Sequence, residues 1–279
     1  MSPLDRTIRR LAALLPGQIR ADVPFAELTT YRLGGPAALL VRVGMPEDIA
    51  AVASALTEDV PVLVVGRGSN LLVADEGFAG VAVMLDGELA DFAVRDGTIR
   101  AGGGLPLPVL ARRSAAAGLA GLEFFVGIPG SVGGAVRMNA GGHGRETAEV
   151  LGRVWLADLA GDGEVAEYAP GDLHLGYRRS LIRPTQLVVA ATFAVDPDDP
   201  AVSESRIDEV VRWRRANQPG GSNAGSVFTN PPGDSAGRLV DSCGLKGLAV
   251  GGVRVSERHA NFFQAEPGAC ADDVVRLVA

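Results

Sequence analysis

A glycine-dense segment near the centre of the chain bears most directly on its fold and reads GIPGSVGGAVRMNAG, residues 127–141. An ordered glycine loses more conformational entropy than any other residue, so glycines are kept where backbone passes close to a ligand or to other backbone. A second stretch, GRGSN at residues 66–70, follows a predicted buried strand at residues 60–65. Two such loops in one domain favour a dinucleotide-sized ligand over a close crossing of small core residues.

The shorter stretch is a candidate phosphate loop. Its consecutive backbone N–H groups can form a concave anion-binding nest, and Arg67 adds a positive charge. It departs from the Rossmann fingerprint, because Leu71 occupies the position of the third glycine and an apolar run continues to Val73. Taken by itself, this motif is equally consistent with an ordinary connection between a strand and a turn.

Hydrophobic periodicity and turn signals around these loops predict a mixture of helices and strands. The predicted helices are residues 46–56 and 106–117, and the predicted strands are residues 81–85, 92–95, 98–101, 154–158, 164–168 and 187–193. Asp96-Gly97 predicts a hairpin turn, and Gly118 closes the second helix. This mixture favours the α+β class over a regular βαβ repeat.

The later part of the chain contains the best candidate for a domain boundary. Residues 196–200, DPDDP, are polar and break helices at both ends. Ser205 and Asp208 are predicted to form a capping box at the start of the next helix. Residues 217–279 then continue as a smaller, glycine-rich α+β unit.

Length and composition exclude several classes of protein. The chain has 279 residues, of which 47% are apolar, so it can bury a substantial core in two modest domains or in one large one. Its formal net charge of −7 provides no general attraction for nucleic acid or for an anionic membrane, so an anionic ligand needs a local site. The sequence contains no predicted membrane span and no targeting segment.

Cysteine and histidine usage predicts neither a disulfide framework nor a metal site. Cys243 and Cys270 are far apart and in no metal-type spacing, so we expect small buried residues in a protein of the reducing cytoplasm. His143, His174 and His259 also lack the spacing of metal ligands.

Taken together, the motifs resemble the UDP-N-acetylenolpyruvoylglucosamine reductase family, flavoenzymes of bacterial peptidoglycan synthesis. The matching segments of its FAD-binding domain are VGRGSNLL at residues 65–72, GIPGSVGGA at residues 127–135 and TYRLGG at residues 30–35. The resemblance implies a two-lobed FAD-binding domain of the vanillyl-alcohol-oxidase-like type at residues 1–200. A smaller α+β substrate domain follows at residues 201–279.

The same resemblance implies contacts to non-covalent FAD, along its pyrophosphate and ribityl chain. The residues that it assigns to the cofactor are Arg32, Gly66, Arg67, Gly68, Ser69, Asn70, Leu71, Ile128, Pro129, Gly130, Ser131, Gly133, Gly134 and Ala135.

Two further segments, YRRS at residues 177–180 and GSVFTNP at residues 225–231, resemble the substrate motifs of the family. The resemblance makes Arg178 a catalytic arginine, whose planar fork suits a substrate carboxylate, and Tyr177 a substrate contact. It makes Ser226 the acid that protonates the substrate. Asn230 is then expected near the substrate diphosphate. Without the resemblance, Arg178 would be interpreted as a surface residue and Ser226 as a turn residue.

The implied reaction is the reduction of the enolpyruvyl group of a UDP-sugar, with NADPH as the electron donor. The expected partner is this small nucleotide sugar, and we predict no nucleic acid, membrane or obligatory protein partner. Two alternatives stay open. One is a flavin oxidase or dehydrogenase of the same fold that acts on alcohols or hydroxy acids, although neither glycine loop carries a cysteine for covalent flavin attachment. The other is a non-catalytic module that binds FAD or a nucleotide sugar.

The C-terminal segments GLKG at residues 244–247 and SERHANF at residues 256–262 also resemble the family, with no chemistry assigned. Val274, Val275 and Val278 mark the predicted apolar face of a final helix. The family has a catalytic glutamate in a strand after its last helix, and this chain ends at Ala279 before any such strand. We therefore expect the substrate domain to be incomplete at its C-terminus.

Overall fold

The computed structural model describes residues 1–57 and 59–279, which form two compact units. Unit 1 consists of Met1–Ala21, Leu39–Gly66 and Gly80–Val211. Unit 2 consists of Asp22–Ala38, Arg67–Ala79 and Arg212–Ala279. The N-terminal part of the sequence therefore supplies residues to both units.

The α-helices of the described residues are α1 Pro3–Leu14, α2 Pro46–Ala55, α3 Leu107–Ala116, α4 Val132–Met138, α5 Pro200–Asn217, α6 Ala236–Ser242 and α7 Ala271–Val278. The strands are β1 Ile19–Pro24, β2 Pro36–Val43, β3 Val62–Val64, β4 Phe78–Leu85, β5 Phe92–Arg95, β6 Thr98–Gly102, β7 Leu119–Ala120, β8 Gly141–Gly142, β9 Arg145–Glu146, β10 Leu151–Asp158, β11 Val165–Tyr168, β12 Gln186–Ala194, β13 Asp196–Pro197, β14 Ala249–Val250, β15 Val253–Val255 and β16 Phe263–Ala265.

The largest sheet of unit 1 has the strand order β11-β10-β12-β6-β5, and its neighbouring strands are antiparallel. Its core combines Ile99 and Phe193 from the strands with Leu110 of α3 and Val136 of α4, all fully buried. Burying one such side chain contributes about 1.5–3 kcal/mol. This packing fixes α4, and with it the glycine-dense segment, against the sheet.

The other main sheet has the order β1-β2-β4-β3. Within unit 1, β3 runs parallel to β4, from Val62↔Val81 to Val64↔Val83. The buried face of α2, with Ile49 and Val52, packs in the core of this region. The chain leaves β3 directly before the first glycine loop, as the sequence predicts.

Local turn chemistry confirms several predicted elements. Asp96 and Gly97 have φ values of +48° and +71°, which suit a two-residue turn of the type I′ class between β5 and β6. The helix predicted at residues 106–117 is α3, and Gly118 follows it with a φ of +72°. The predicted helix at residues 46–56 and the strands at residues 154–158, 164–168 and 187–193 also form, with small shifts at their ends.

Unit 2 contains the three-stranded antiparallel sheet β14-β15-β16 together with α6 and α7. Its core joins Val255 and Phe263 of the sheet with Val274 of α7. Tyr31 and Leu33, from an early segment of the chain, lie in the same core. The TYRLGG segment is therefore anchored by side chains that follow it by more than two hundred residues.

The predicted capping box of Ser205 and Asp208 is wrong. Helix α5 already begins at Pro200, so both residues lie in its interior. Its first turn is held by Asp199, whose carboxylate accepts a hydrogen bond from the N–H of Ala201 at 2.8 Å. Ile207 of this helix is buried in the core of unit 1.

Two expectations for the C-terminal part are also wrong. Cys243 is exposed and Cys270 is half-buried, so neither is a fully buried core residue. Of the three valines assigned to one face of the last helix, only Val274 is buried, whereas Val275 and Val278 are exposed. The helix instead packs on the core through Val274 and Leu277, which are three residues apart.

No helix within residues 1–57 and 59–279 is long and apolar enough to cross a membrane.

Candidate active site

The two glycine loops meet inside unit 1. A Cβ atom built on Gly66 would lie only 2.6 Å from the hydroxyl oxygen of Ser131, so a side chain at position 66 would require this hydroxyl group to move. The Ser131 hydroxyl is buried and accepts a hydrogen bond from the N–H of Gly134 at 3.3 Å, which caps α4. The structure thus brings together two predicted cofactor segments that are widely separated in sequence.

The second glycine loop is also bonded to a segment that the sequence analysis did not single out. The N–H groups of Val132 and Gly133 donate to the carbonyl oxygens of Leu105 and Gly103, at 2.9 and 2.8 Å. A Cβ atom on Gly133 would lie 3.1 Å from the Gly103 carbonyl oxygen. Some of the glycines in this loop therefore allow two backbone segments to pack closely, in addition to any contact with a ligand.

In unit 2, the remainder of the first loop packs on the TYRLGG segment. The N–H of Thr30 donates to the carbonyl oxygen of Gly68 at 3.2 Å. Gly68 has a φ of +60°, and a Cβ atom there would lie 2.1 Å from the carbonyl oxygen of Leu28. The predicted cofactor residues Arg32 and Arg67 are exposed in this unit, and Arg32 adopts a φ of +56°.

Two buried hydroxyl groups of the TYRLGG segment lack hydrogen-bond partners among the described residues. They are the Oγ1 atom of Thr30 and the phenolic oxygen of Tyr31. Burial raises the pKa of Tyr31 to about 12, so its phenol is protonated at neutral pH. A buried polar atom without a partner costs about 1–3 kcal/mol, so an unsatisfied Thr30 hydroxyl next to the loop suits a site that a polar ligand completes.

Arg178 lies at the tip of a tight turn in unit 1. The backbone groups of Gly176 and Arg179 exchange two hydrogen bonds of 3.1 Å, which leaves Tyr177 and Arg178 as the two residues of the turn. Arg178 has a φ of +57°, a conformation that non-glycine residues seldom adopt. Its side chain is exposed, and its Nη2 atom lies 3.4 Å from the carbonyl oxygen of Gly141.

Ser226 is exposed and lies in unit 2, on a segment that pairs with the strand region before β16. Ser226 forms an isolated bridge with Phe262, and the N–H of Val227 donates to the carbonyl oxygen of Asn261 at 2.9 Å. The Asn261 side chain pairs with both backbone groups of Phe228, accepting from its N–H at 2.9 Å and donating to its carbonyl oxygen at 2.8 Å.

Asn261 is 2% exposed, and its position in the SERHANF segment predicts no role for it. Its amide reproduces the hydrogen bonds of a neighbouring strand for the segment that follows Ser226. A nearby predicted substrate contact, Asn230, uses its Oδ1 atom to accept a hydrogen bond from the N–H of Ala236 at 3.0 Å, at the start of α6. The amide oxygen of Asn230 thus has a structural contact in this unit.

The described residues contain no group of three or more histidine, cysteine, aspartate or glutamate side chains that could hold a metal ion. His259 packs edge-on against Phe262, with ring centroids 4.6 Å apart. Its Nδ1 atom accepts a hydrogen bond from the N–H of Asn261 at 3.3 Å. Burial lowers the pKa of His259, which favours the neutral ring that this hydrogen bond requires.

Comparison with known proteins identifies the family. A model of the C-terminal domain of UDP-N-acetylenolpyruvoylglucosamine reductase matches residues 217–279, and a model of an FAD binding domain matches residues 37–167. The chain is 42% identical over 281 aligned positions to UDP-N-acetylenolpyruvoylglucosamine reductase 2 of Symbiobacterium thermophilum, covering 100% of this chain and 90% of that protein.

The chain belongs to the UDP-N-acetylenolpyruvoylglucosamine reductase family.

A second relative in this reductase family, from Syntrophotalea carbinolica, is 43% identical and covers 97% of this chain and 90% of that protein. The crystal structure of UDP-N-acetylenolpyruvylglucosamine reductase from Thermus caldophilus matches with a TM-score of 0.83 and 39% identity, over 93% of each chain. Berberine bridge enzyme matches with a TM-score of 0.51 and 12% identity, over 68% of this chain and 43% of that chain, so it shows the fold alone. The predicted fold class, an FAD-binding α+β fold of this type with a smaller C-terminal domain, is confirmed.

The residues present fit the FAD that the reductase family implies. In unit 1, both glycine loops come together at Gly66 and Ser131, where a Cβ atom on Gly66 would lie 2.6 Å from the Ser131 hydroxyl oxygen. In unit 2, Thr30 bonds to the rest of the first loop through its backbone N–H, and its buried hydroxyl has no partner among the described residues. The assigned cofactor residues are divided between the units, since Gly66, residues 128–131 and residues 133–135 belong to unit 1, whereas Arg32 and residues 67–71 belong to unit 2.

Proposed function

We propose that the chain reduces the enolpyruvyl group of UDP-N-acetylglucosamine enolpyruvate to the lactyl ether of UDP-N-acetylmuramate, with NADPH as the electron donor. The observation that carries this proposal is the 42% identity to a named reductase over the full length of this chain. The proposed reaction belongs to peptidoglycan synthesis, and we place it in the cytoplasm with a free nucleotide sugar as the substrate.

Bound FAD would supply the hydride chemistry that couples NADPH oxidation to reduction of the enolpyruvyl double bond. We assign its binding to Arg32, to residues 66–71, to residues 128–131 and to residues 133–135. The backbone N–H groups of glycine-rich loops and the two arginine side chains, Arg32 and Arg67, provide donors for a pyrophosphate. These contacts are proposals for this chain, supported by the meeting of Gly66 with Ser131.

Arg178 is the proposed electrostatic catalyst. Addition of a hydride equivalent to the terminal alkene carbon places negative charge on the adjacent carbon and its carboxylate. A guanidinium group can donate two parallel hydrogen bonds to that carboxylate, and a positioned donor to a developing anion is worth about 10²–10³-fold in rate. The exposure of Arg178 and its place at the tip of a tight turn support this assignment.

Ser226 is the proposed proton donor. Its hydroxyl transfers a proton to the carbon next to the carboxylate, which completes the two-electron reduction of the double bond and leaves an alkoxide that solvent reprotonates. A serine hydroxyl is a weak acid, so it can serve only where it is held beside a strongly basic carbanion. The hydrogen bonds that Asn261 makes to Val227 and Phe228 support a fixed position for the residue before them.

We also propose that residues 1–200 carry the cofactor and residues 201–279 contribute mainly to the substrate, with Tyr177 and Asn230 as additional substrate contacts. The two family matches, at residues 37–167 and 217–279, support this division. The compact units divide the chain differently, because residues 22–38 and 67–79 cluster with the C-terminal part.

The proposed reaction is tested by measuring the visible absorbance of the bound flavin in the absence of oxygen. The purified chain is loaded with FAD, bleached with NADPH and then mixed with UDP-N-acetylglucosamine enolpyruvate. We expect bleaching followed by rapid recovery of the oxidised spectrum. Bleaching with no recovery would contradict the proposed substrate. Bleaching by an alcohol or hydroxy acid in place of NADPH, with recovery once oxygen is admitted, would favour an oxidase of the same fold. A chain that binds FAD but is never bleached would be a binding module.

A further inference from the structure

We propose that Asn139 is a positioning residue that holds Arg178 in place for reduction of the sugar nucleotide. The inference rests on the proposed function, because it gives Asn139 a role only through Arg178. Asn139 lies in the second half of the glycine-dense segment, beyond Ala135, the last residue that we assign to the cofactor. All the residues that carry the argument belong to unit 1.

The side chain of Asn139 is 2% exposed and makes three hydrogen bonds. Its Nδ2 atom donates to the Glu146 carboxylate at 2.8 Å and to the carbonyl oxygen of Gly176 at 3.2 Å. Its Oδ1 atom accepts from the N–H of Ala148 at 2.9 Å. Glu146 can only accept here and Ala148 can only donate, so together they set the orientation of the amide and direct its nitrogen towards Gly176.

The bond to Gly176 acts on the turn that carries Arg178. The Gly176 carbonyl oxygen accepts from the Arg179 N–H, which closes the turn, and from Asn139. Arg178 itself adopts a φ of +57°, and the left-handed conformation costs a non-glycine residue roughly 1–2 kcal/mol. Such a conformation persists when surrounding contacts determine it, and Asn139 supplies one of them.

A second contact fixes the other side of the same turn. The hydroxyl group of Ser180 donates to the carbonyl oxygen of Arg137 at 2.7 Å and accepts from the N–H of Ile182 at 3.3 Å. Arg137 and Asn139 lie at the C-terminal end of α4, so both sides of the turn are bonded to the end of one helix. The Arg178 guanidinium approaches the Gly141 carbonyl oxygen, two residues beyond Asn139.

The chemistry of asparagine suits this role better than that of aspartate. An aspartate in place of Asn139 would present an acceptor to the Glu146 carboxylate and to the Gly176 carbonyl oxygen, which both already accept from the amide nitrogen. The substitution Asn139→Asp therefore keeps the shape of the side chain but replaces two attractive contacts by repulsive ones. Misplacement of a catalytic group by about 1 Å can cost about 10²-fold in rate.

The experiment measures the two half-reactions of the FAD-loaded protein separately. In Asn139→Asp we expect NADPH to bleach the flavin at the parent rate, and we expect recovery with the sugar nucleotide to slow by about 10²-fold. Hydrogen exchange of the protein without added FAD provides an independent readout, since the Arg179 N–H should exchange faster than in the parent. Ser180→Ala, which removes the other anchor, should change both readouts in the same direction.

Thr147→Val is the matched control, because Thr147 is fully buried and its hydroxyl donates to the Ala140 carbonyl oxygen at 2.7 Å in the same loop. It should lower stability while leaving the recovery rate and the exchange of the Arg179 N–H unchanged. Parent-like recovery and exchange in both Asn139→Asp and Ser180→Ala would overturn the proposal. An equal loss in Thr147→Val would also overturn it, because the effect would then reflect general loosening of the loop.

The variant Arg178→Ala separates failure of this inference from failure of the proposed function. If Arg178→Ala slows recovery and Asn139→Asp adds no further loss in that background, the two residues act through one another as proposed. Independent, multiplicative losses would overturn the positioning role alone. Parent-rate recovery in Arg178→Ala would overturn the catalytic assignment of Arg178, whereas the exchange of the Arg179 N–H would still report whether Asn139 holds the turn.

Discussion

The carboxylate of Asp75 accepts a hydrogen bond from the backbone N–H of Ala271 at 2.8 Å, across 196 residues of sequence. Its second oxygen accepts from the N–H of Asp272 at 3.0 Å. Asp75 thereby caps α7 from outside the helix. It accepts hydrogen bonds from two backbone N–H groups of the first turn, which have no partner within the helix. The segment that follows the first glycine loop and the last helix of the chain are thus tied together within unit 2.

Loss of this external cap should destabilise the protein. For Asp75→Ala we expect the free energy of unfolding to fall by about 0.5–2 kcal/mol, the usual cost of removing a helix cap. Urea denaturation followed by circular dichroism measures the change. The adjacent substitution Glu76→Ala is the control, and a similar loss in both variants would show that the cap of α7 contributes nothing specific.

A pair of glycine substitutions should separate backbone strain from steric exclusion. Gly68 and Gly97 have similar φ values, +60° and +71°, but a Cβ atom on Gly68 meets the Leu28 backbone at 2.1 Å, whereas nothing lies within 4 Å of one on Gly97. Gly97→Ala should cost about 1–2 kcal/mol from conformation alone. Gly68→Ala should cost at least about 3 kcal/mol and weaken FAD binding. Equal stabilities in thermal melts of the two variants would contradict the predicted exclusion at Gly68.

Removal of the proposed proton donor should affect only one half-reaction. Ser226→Ala is expected to bind FAD and oxidise NADPH like the parent, but to lose about 10²–10⁴-fold in reduction of the sugar nucleotide. Anaerobic stopped-flow absorbance measures both rates. Ser222→Ala, a serine earlier in the same segment, is the control. Turnover of Ser226→Ala at the parent rate would show that another group delivers the proton.

The buried amide of Asn261 should support the serine segment in two ways. Asn261→Ala leaves the N–H and carbonyl oxygen of Phe228 without their present partners, and we expect a loss of about 2–4 kcal/mol in the free energy of unfolding. Recovery of the flavin spectrum with substrate should slow, and bleaching by NADPH should not. Asn217→Ala, which removes an amide from the exposed end of α5, should change neither quantity. If bleaching and recovery slow equally in Asn261→Ala, the residue has no selective effect on the Ser226 segment.

His259 should make stability depend on pH. Burial lowers its pKa in the folded protein below the ordinary value of 6.5, and the charge of Lys246 acts in the same direction. Above about pH 6.5 the ring is neutral in both states, so it has no effect. As the pH falls below that value, the unfolded chain takes up the proton first, and stability decreases until the pH passes the lowered pKa of the folded state.

Urea midpoints of the parent and of His259→Gln between about pH 7.5 and 5.5 measure this contribution. The parent should lose more stability on acidification than the variant, because only the parent carries the titrating ring. Protonation would also place a hydrogen on the Nδ1 atom that accepts from the Asn261 N–H. Parallel pH profiles would show that burial of His259 has no energetic consequence.

Elements with a local cause were predictable from the sequence. The turn at Asp96-Gly97 forms because both residues tolerate positive φ, and α2 and α3 form because their apolar periodicity and terminal residues agree. The start of α5 was not predicted, since Asp199 caps the helix several residues before the apparent capping box at Ser205. The sequence therefore predicted that a helix forms here, but not the residue at which it begins.

By itself, the sequence determined the α+β class, the two glycine loops, their order along the chain and the family. These features depend on residue types and on short spacings along the chain, and neither is changed by folding. Only the tertiary structure decided that Gly66 meets Ser131, that Asn139 reaches the Arg178 turn, and that Asn261 pairs with the segment after Ser226. In each case the contact joins residues more than thirty positions apart, and the geometry of a hydrogen bond between such residues depends on the packing of the whole unit.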